Sequence, residues 1–308
     1  VQIGRKGKGF TLQGAIEPAA AGIYLYSFPG LDRIRIEGNR ITENSYGIYI
    51  QNFLLAGTVD ERAAYQSKLQ IRYNNVVRNT GNYAILCGGC GGSLIADNRI
   101  EDNGHGTGFG DALNLGASSK VAIYRNVITH NAWDAFFGDG SQQARIKDNV
   151  VDKSSAYGLT VSNGDGSVVQ SNVLAQNTVY GLALLQTTNN IRSLQAKNNL
   201  AVANVTNNIL LYSEGQAILF DGNTSVDSAS NGIDITGAMT TLGRFRSNNA
   251  IGSNYGINLP TGVVLKHERQ FFENNACDLC GTGAGDVDPT STEATKPNPL
   301  KVNKARSL

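Results

Sequence analysis

One short pattern recurs along almost the whole chain and restricts its fold more than any other feature. It runs apolar-x-apolar-x-x-Asn, then an apolar pair, a second Asn or Ser, and finally x-Gly-Ile-x-Leu. One copy reads Ile34-Arg-Ile-Glu-Gly-Asn39 and ends with Tyr46-Gly-Ile-Tyr-Ile50. The first Asn of each copy falls at Asn39, Asn74, Asn98, Asn126, Asn149, Asn172, Asn198, Asn223, Asn248 and Asn274. Successive copies are therefore 23 to 28 residues apart, with one wider gap of 35.

These spacings predict a stack of short parallel strands. Strands of three to five residues with apolar positions at period two bury one face and expose the other. A copy of 23 residues is too short for a strand plus a crossover helix, and Gly and Asn occupy the places where a helix would have to lie. Asn tolerates left-handed corners, and Asn side chains in register can bond to one another as a ladder. We therefore expect an all-β parallel β-helix of about ten coils over residues 1–280, followed by a flexible tail or linker over residues 281–308.

The repeat resembles that of the right-handed parallel β-helix proteins of the carbohydrate-binding and sugar-hydrolase group. This group includes pectate-lyase-like enzymes, mannuronan C5-epimerases, NosD-type proteins and phage tailspikes. The resemblance covers residues from about Phe10 to Asn275 and implies a secreted, periplasmic or cell-surface protein that acts on a polysaccharide. Gly104-His-Gly106 and Arg145-Ile-Lys147 match two polygalacturonase motifs, but the preceding carboxylate motifs of that family are missing. The Asp-Pro-His-Asp signature of the mannuronan epimerases is also missing.

Charge and hydropathy limit the classes of partner. The formal charge is +1, which does not fit a protein built mainly to hold nucleic acid. No apolar run approaches the ~20 residues of a membrane span. Neither a cofactor nor a metal is indicated; a bound Ca²⁺ stays open, although the Asp-rich cluster typical of such sites is missing.

Four cysteines form two Cys-x-x-Cys pairs, Cys87/Cys90 and Cys277/Cys280. The pairs lie about eight coils apart, so at ~4.8 Å per coil nearly 40 Å separates them and they cannot share a zinc ion. We expect each pair to form a local disulfide, which fits an oxidising compartment outside the cytoplasm. A reduced cytosolic pair is the alternative.

Two insertions interrupt the repeat, and irregular coils are where function is most often placed. One runs from Asn52 to Ser67 and the other from Gly104 to Gly110. The insertions could wall one region roughly 10 Å across, since their coils are two apart. The alternative is a pair of tolerated surface loops.

The position before Gly-Ile-x-Leu suggests a site, because two coils carry Asp where most others carry Tyr or Asn. The column reads Tyr46, Tyr83, Asp111, Asp134, Tyr157, Tyr180, Asn208, Asn231 and Tyr255. Carboxylates on adjacent coils should lie roughly 5 Å apart, which would raise the pKa of one of them and suit acid/base chemistry. The Tyr column could stack against sugars or could simply pack.

A second column, four residues after the first Asn, brings further charge to the same coils: Glu43, Arg78, Asp102, His130, Lys153 and Gln176. Our catalytic hypothesis gives Asp111 and Asp134 the acid/base roles, His105 and His130 proton transfer, and Arg78 and Lys153 neutralisation of substrate charge. The substrate-binding residues would be Tyr83, Trp133, Tyr157, Tyr180, Asp102 and Asn114, in a groove over coils two to five. The alternative is that these charges pair with one another on a solvated face.

The reaction would be that of a lyase, an epimerase or a glycoside hydrolase. The alternatives are a carbohydrate-binding, adhesive or self-assembling surface protein and a trimeric tailspike-like depolymerase. Self-assembly would use the coil ends or a flat outward face of small residues: Gly47, Ala84, Ala112, Ala135, Gly158, Gly181, Gly232 and Gly256.

Overall fold

A computed structural model confirms the parallel solenoid and shows three sheets that run its whole length. It describes residues 1–18, 20–27, 32–52, 67–106, 110–138, 141–187, 194–214, 218–237, 244–260, 267–280 and 292–297. Each turn of the described chain contributes one strand to each sheet, and all pairings between named strands are parallel. The sheets contain eleven strands each in this part of the chain, one more turn than the ten counted from Asn.

The strands are numbered in chain order and are mostly three to seven residues long. Sheet A contains β1 (Gln2–Ile3), β4 (Arg35–Glu37), β7 (Gln70–Arg72), β10 (Leu94–Ala96), β13 (Ala122–Tyr124), β16 (Arg145–Lys147), β19 (Val168–Gln170), β22 (Leu194–Lys197), β25 (Ile218–Asp221), β28 (Arg244–Arg246) and β31 (His267–Glu268). Sheet B contains β2 (Thr11–Gln13), β5 (Arg40–Thr42), β8 (Asn75–Val77), β11 (Arg99–Glu101), β14 (Val127–Thr129), β17 (Val150–Asp152), β20 (Val173–Ala175), β23 (Leu200–Val202), β26 (Thr224–Val226), β29 (Asn249–Ile251) and β32 (Phe271–Glu273). Sheet C contains β3 (Ala21–Ser27), β6 (Tyr46–Asn52), β9 (Tyr83–Gly88), β12 (Asp111–Gly116), β15 (Ala135–Phe137), β18 (Leu159–Ser162), β21 (Tyr180–Gln186), β24 (Asn207–Ser213), β27 (Asn231–Thr236), β30 (Tyr255–Asn258) and β33 (Cys277–Cys280).

The core is a continuous column of aliphatic side chains inside the three sheets. In sheet A the middle residue of successive strands, such as Ile71, Ile95 and Ile123, is buried and in register with its neighbours. Phe220 and Phe245 stack at 5.2 Å in the same column nearer the C-terminus. Each strand buries one apolar residue or two alternate ones, such as Ile48 and Ile50 in β6, which explains why the period-two pattern predicts this fold.

An asparagine ladder follows the corner between sheets A and B. Each Asn Nδ2 donates to the Oδ1 of the Asn on the next coil at 2.8–3.2 Å, and each is at most 2% exposed. Its members are Asn39, Asn74, Asn98, Asn126, Asn149, Asn172, Asn199, Asn223 and Asn248.

Two of the predicted ladder positions are wrong. The ladder uses Asn199, not Asn198, and on the last coil Gln270 accepts from the Asn248 backbone N at 3.1 Å in place of Asn274. Asn198 and Asn274 occupy left-handed corner positions just before a ladder residue, with φ of 53° and 55°. Asn suits both places, since it tolerates positive φ and its amide can bond in a ladder.

A second ladder follows the corner between sheets B and C, hereafter the B–C corner. Asn44, Asn79, Asn103 and Asn131 are linked in it, and Asn177 resumes it two coils later. The intervening position is Ser154, whose buried hydroxyl has no hydrogen-bond partner within the described residues. The ladder is therefore broken beside the coil that contains Asp134.

The predicted flat outward face of Gly and Ala is wrong, because those residues point into the B–C corner or the core. A Cβ on Gly158 would lie 2.5 Å from the Gly181 carbonyl oxygen and 2.7 Å from the Asn177 amide nitrogen. Ala84, Ala112 and Ala135 are at most 3% exposed. Gly158 is small because the second ladder leaves no room for a Cβ there, whereas Ala135 faces the core in register with Leu113 and Leu159.

Both predicted disulfides are present, Cys87–Cys90 and Cys277–Cys280, and they include every cysteine. Cys87 and Cys90 are fully buried in the core. Within the described residues, no helix is long and apolar enough to cross a membrane. Most of residues 281–308 lie outside the description, but Glu293 forms a bridge to Gln270 at the last coil. The domain boundary at residue 280 stays a prediction.

Candidate functional site

The outer face of sheet C carries the unusual side chains, in two columns fixed by the strand register. The first, here the ridge column, contains Tyr46, Tyr83, Asp111, Trp133, Tyr157, Tyr180, Asn207, Asn231 and Tyr255. The second, here the centre column, lies three residues further along each strand: Tyr24, Tyr49, Leu86, Asn114, Phe136, Thr160, Ala183, Leu210, Asp234 and Asn258.

The register corrects two members of the predicted Tyr/Asp column. Leu113 pairs with Ala135 and Ala135 pairs with Leu159, so Trp133, not Asp134, falls in line with Asp111. Asn207 likewise replaces Asn208. Asp134 and Asn208 instead occupy the position that holds Gly in most other copies of the repeat. In these two coils the sequence alone does not show at which residue the strand begins.

Asn208 uses that position to continue the second ladder. Its Oδ1 accepts from Asn204 Nδ2 at 2.7 Å, and its Nδ2 donates to Ser225 Oγ at 2.9 Å. The Asp134 carboxyl instead contacts Asp111. The same place in two coils therefore carries a structural amide in one and an acid in the other.

The carboxyls of Asp111 and Asp134 interact with each other despite the shift in register. Asp134 is only 3% exposed, and Asp111 is half-buried at the start of β12. Asn114, three residues further along β12, donates its Nδ2 to Asp111 Oδ2 at 2.5 Å. The predicted proximity of the two carboxyls is therefore present, with Asn114 holding one of them in place.

The two carboxyls hold a proton unequally. Burial raises the pKa of Asp134 to about 8, together with the charge of Asp111, while the Thr160 hydroxyl acts in the opposite direction. Burial also raises the pKa of Asp111, but hydrogen bonds from Asn114 and Asp134 oppose the rise. Asp134 is thus the member of the pair that holds its proton at neutral pH, the arrangement expected when two carboxyls share a site.

Aromatic rings flank the pair on both sides along the ridge column. Trp133 meets Tyr157 edge-on at 6.4 Å, and Tyr157 stacks on Tyr180 at 5.4 Å. On the other side Tyr83 is in register with Asp111, and burial together with the Asp111 charge raises the pKa of its hydroxyl. All four rings are half-buried, so each presents part of its surface to solvent.

The charged column predicted to complete the site lies apart from the pair, on the B–C corner. Arg78, Asp102, His130 and Lys153 are exposed and adopt φ of 53–58° there. Their contacts are local, and none of those contacts includes Asp111 or Asp134. They are Arg78 with Glu43 at 3.0 Å, Asp102 with His105 at 3.4 Å, His130 Nδ1 with Thr129 Oγ1 at 2.8 Å, and Lys153 with Asp152 at 3.7 Å.

His105 belongs to the second insertion and stays on the same corner. Its Nε2 lies 2.9 Å from the His130 carbonyl oxygen. Gly104 and Gly110 close the base of this loop, since a Cβ on Gly104 would lie 2.6 Å from Gly110 Cα. Residues 107–109 and residues 53–66 of the other insertion lie outside the described residues, and with them the predicted walls of the groove.

A third carboxyl, which was not predicted from the sequence, lies on this face. Asp234 is 8% exposed in the centre column and accepts from Asn207 at 2.9 Å and Asn258 at 2.7 Å. Burial raises its pKa. The signal was available, because Asn231-Gly-Ile-Asp234 reverses the Asp and Asn of Asp111-Ala-Leu-Asn114. At ~4.8 Å per strand, Asp234 lies roughly 24 Å from Asp111 along the axis.

No group of three or more His, Cys, Asp or Glu side chains that could hold a metal ion occurs in the described part of the chain. The acids of the sheet C face instead find amides and hydroxyls as neighbours, as the partners of Asp111 and Asp234 show. The chemistry that Asp111 and Asp134 can offer is proton transfer.

Comparisons with known proteins agree with the architecture. A family model described as the right handed beta helix region matches residues 21–198. A point mutant of the periplasmic alginate epimerase AlgG is 13% identical with a TM-score of 0.52, and the match covers 95% of this chain and 69% of that one. The A-module of the Azotobacter vinelandii mannuronan C-5 epimerase AlgE4 is 15% identical with a TM-score of 0.50, over 95% and 79%. No curated protein sequence matches the chain significantly. At such identities the two solved structures show a common fold alone.

Proposed function

Because this chain belongs to the right-handed beta helix family, we propose that it acts on a polysaccharide at the outer face of sheet C. The observation that carries the proposal is the Asp111–Asp134 pair, which keeps one proton at neutral pH between flanking aromatic rings. A protonated acid beside an ionised one is the condition for general acid/base catalysis near neutral pH. The epimerase names of the two solved structures agree with a polysaccharide substrate.

The contact between the carboxyls limits the mechanism. In glycosidases with two catalytic carboxylates the groups stand roughly 5–9.5 Å apart and act from opposite sides of the bond. Asp111 and Asp134 lie close enough for each to shift the pKa of the other, and they would therefore act from one side, as a single proton-transfer unit. Asp134 would deliver the proton, Asp111 would receive it, and Asn114 would position Asp111.

The remaining roles follow from exposure. Tyr83, Trp133, Tyr157 and Tyr180 line the face next to the pair and would contact sugar rings. His105, His130, Arg78, Lys153 and Asp102 would meet only those parts of a polymer that cross the B–C corner. Cleavage by hydrolysis or elimination and epimerisation are the reactions to be distinguished.

We place the protein outside the cytoplasm. Two disulfides in one chain are typical of an oxidising compartment. The AlgG structure is also of a protein described as periplasmic.

The test is a panel of neutral and acidic polysaccharides, assayed for reducing ends, unsaturated products and inverted sugar centres. We expect one polymer to be turned over by the wild type and by Asp227→Asn, a control on an exposed acid. Asp111→Asn and Asp134→Asn should each lower kcat by a factor of about 10² or more. Unchanged turnover in both Asp variants would remove the pair from the mechanism.

A second candidate, a glycan-binding protein without catalysis, is favoured by exposed tyrosines on the same face. Tyr24 and Tyr26 are 55% and 56% exposed. This function would be selected if the wild type bound a polymer without changing it and both Asp variants bound the same polymer.

A further inference from the structure

The charges on sheet C are all of one sign. Its eleven strands, with Asp134 just before β15, contain the acids Asp111, Asp134, Asp234 and Asp278 and not one Lys or Arg. Sheets A and B differ, since Arg35, Arg99 and Arg145 lie within their strands. The face that carries the acid pair is therefore the one sheet of the three without a positive side chain in its described strands.

The first three strands of sheet C have no charged residue at all and present tyrosines instead. We call Tyr24, Tyr26, Tyr46, Tyr49 and Tyr83 the tyrosine platform. Tyr24 stacks on Tyr49 at 5.2 Å and on Tyr26 at 6.5 Å, and Tyr46 contacts both Tyr49 and Tyr83 within 6 Å. Tyr83 is in turn in register with Asp111, so the platform is continuous with the acid pair.

The orientation of the rings decides what the platform offers. Tyr24 and Tyr49 turn their faces to each other, with only 10° between the ring planes. Their edges and hydroxyls are therefore left for a ligand, at a spacing close to the rise of one coil, ~4.8 Å. An extended chain of pyranose rings has a similar repeat and carries the hydroxyls that phenol groups bond. Large exposed aromatic patches of this kind mark binding surfaces.

Among the residues that the structure describes, the positive side chains next to sheet C lie at its corners. Arg78 and Lys153 lie on the B–C corner and are paired with Glu43 and Asp152. Lys68 and Lys120 lie on the opposite corner, exposed and with φ of 51° and 58°. A chain of uronic acids laid along the face would thus bring its carboxylates to Asp111 and Asp234 without meeting a cation in any described strand.

We infer that the polysaccharide bound by this face is a neutral one, free of carboxylate and sulfate, with its length held across the tyrosine platform and its reacting bond at the acid pair. The inference rests on the proposed function for its site and deepens it by giving the substrate class. It also separates this chain from the two epimerases in its choice of substrate. Elimination and epimerisation need the carboxylate of a uronic acid to acidify the proton removed, so a neutral substrate leaves hydrolysis. In that reaction Asp134 would protonate the leaving glycosidic oxygen, water would add to the anomeric carbon as the C–O bond breaks, and the proton of the water would pass to Asp111.

The experiment is affinity electrophoresis of the full chain through gels that contain one polymer each. The neutral polymers are glucan, mannan and galactan, the acidic ones are polymannuronate and polygalacturonate, and chitosan is the cationic one. Asp134→Asn serves as the parent so that the polymer is not consumed. The variants are Tyr24→Ala with Tyr26→Ala, and Tyr124→Ala on sheet A as the matched control, each checked for an unchanged melting temperature.

We expect retardation by at least one neutral polymer, equal at low and high salt, and about tenfold weaker in the Tyr24/Tyr26 variant but not in Tyr124→Ala. Retardation by a polyuronate that weakens with salt and with Lys68→Ala and Lys120→Ala would overturn the inference, and so would a preference for chitosan. Binding of a neutral polymer that the wild type leaves unchanged would contradict the catalytic proposal alone. Binding to none of the polymers would overturn both.

Discussion

At the scale of single residues, the molecule depends on polar side chains that are buried with defined partners. Asp134 is a carboxyl that keeps its proton because it is buried next to Asp111. Asn149 is a ladder amide whose Nδ2 donates to Asn172 Oδ1 at 2.9 Å and to the Ile123 carbonyl oxygen at 3.0 Å. The energetic cost of an unsatisfied buried group makes both residues sensitive to substitution.

Asp134 should make stability depend on pH. In the unfolded chain an Asp loses its proton near pH 4, whereas in the fold Asp134 keeps it up to about pH 8. The unfolded state binds fewer protons in that window, so the free energy of unfolding should fall as pH rises from about 4 to 8, by at most about 1.4 kcal/mol per pH unit for one proton. Asp134→Asn should flatten this fall and Asp227→Asn should not, as measured by denaturant unfolding at several pH values. Parallel curves for the wild type and Asp134→Asn would contradict the burial of a protonated acid.

Asn149→Ala should lower the free energy of unfolding by about 2–4 kcal/mol. The substitution leaves the Asn126 backbone N and Nδ2 and the Ile123 carbonyl oxygen without their partner in a buried place. Arg145→Ala is the matched control, because Arg145 is exposed on the same coil, and it should change stability by less than about 0.5 kcal/mol. Thermal or urea unfolding measures both, and equal effects would mean that the ladder contributes nothing beyond surface packing.

At the scale of strands and coils, the repeat can be aligned to one coil in more than one register. Three residues separate Asn131 from Ala135, as three separate Asn44 from Ile48, so the strand register places Ala135 where other coils have Ile or Leu. A small apolar cavity lies beside Ala135, lined by Leu113, Leu159 and others.

Ala135→Val should raise the free energy of unfolding by about 0.5–2 kcal/mol by filling that cavity. Ala196→Val is the comparison, because Ala196 is fully buried in register with Phe220, and overpacking there should cost about 1–3 kcal/mol. If denaturant unfolding gave changes of opposite sign in the free energy of unfolding for the two variants, the result would support the cavity beneath the acid pair. A loss of stability in both variants would show that Phe137 already fills the space.

This choice between registers also explains how far the sequence predicts the molecule. The fold follows from it, because Asn, Gly and Ile recur at positions where only a stacked coil can use all three. The pairing of Asp111 with Asp134 follows as well, since both lie near the start of adjacent strands. The predicted columns are wrong by one residue at Asp134, Asn207 and Asn199. At these places the repeat pattern matches the sequence equally well when the alignment is shifted by one residue. The local pairing of Arg78, His130 and Lys153 on the B–C corner was not predictable, because the pattern does not show that their column lies on a corner and not on the sheet face.

At the scale of the whole molecule, contacts are made only between neighbouring coils, so damage should stay local. The last coil is covered in part by residues 292–294: Arg269 N donates to Thr292 Oγ1 at 3.0 Å, and Ala294 N donates to the Gln270 carbonyl oxygen at 2.5 Å. Both contacts involve residues that follow the domain boundary proposed at residue 280.

A chain ending at residue 280 should therefore lose amide protection only near that end. Hydrogen exchange followed by mass spectrometry should show faster exchange in β31 and β32 and unchanged exchange in β13 and β14. Faster exchange throughout would mean that residues 281–308 stabilise the entire solenoid, and the proposed boundary would be wrong.

The first asparagine ladder also gives the solenoid an electrical direction. In eight successive links the amide nitrogen of one Asn donates to the amide oxygen of the Asn on the following coil, from Asn39 to Asn248. The side-chain dipoles are thus aligned head to tail, with their positive ends towards the C-terminal coils, and each bond polarises the next. Copies of the molecule stacked along the axis would continue this alignment only in a head-to-tail order, whereas a head-to-head pair would set two like poles against each other.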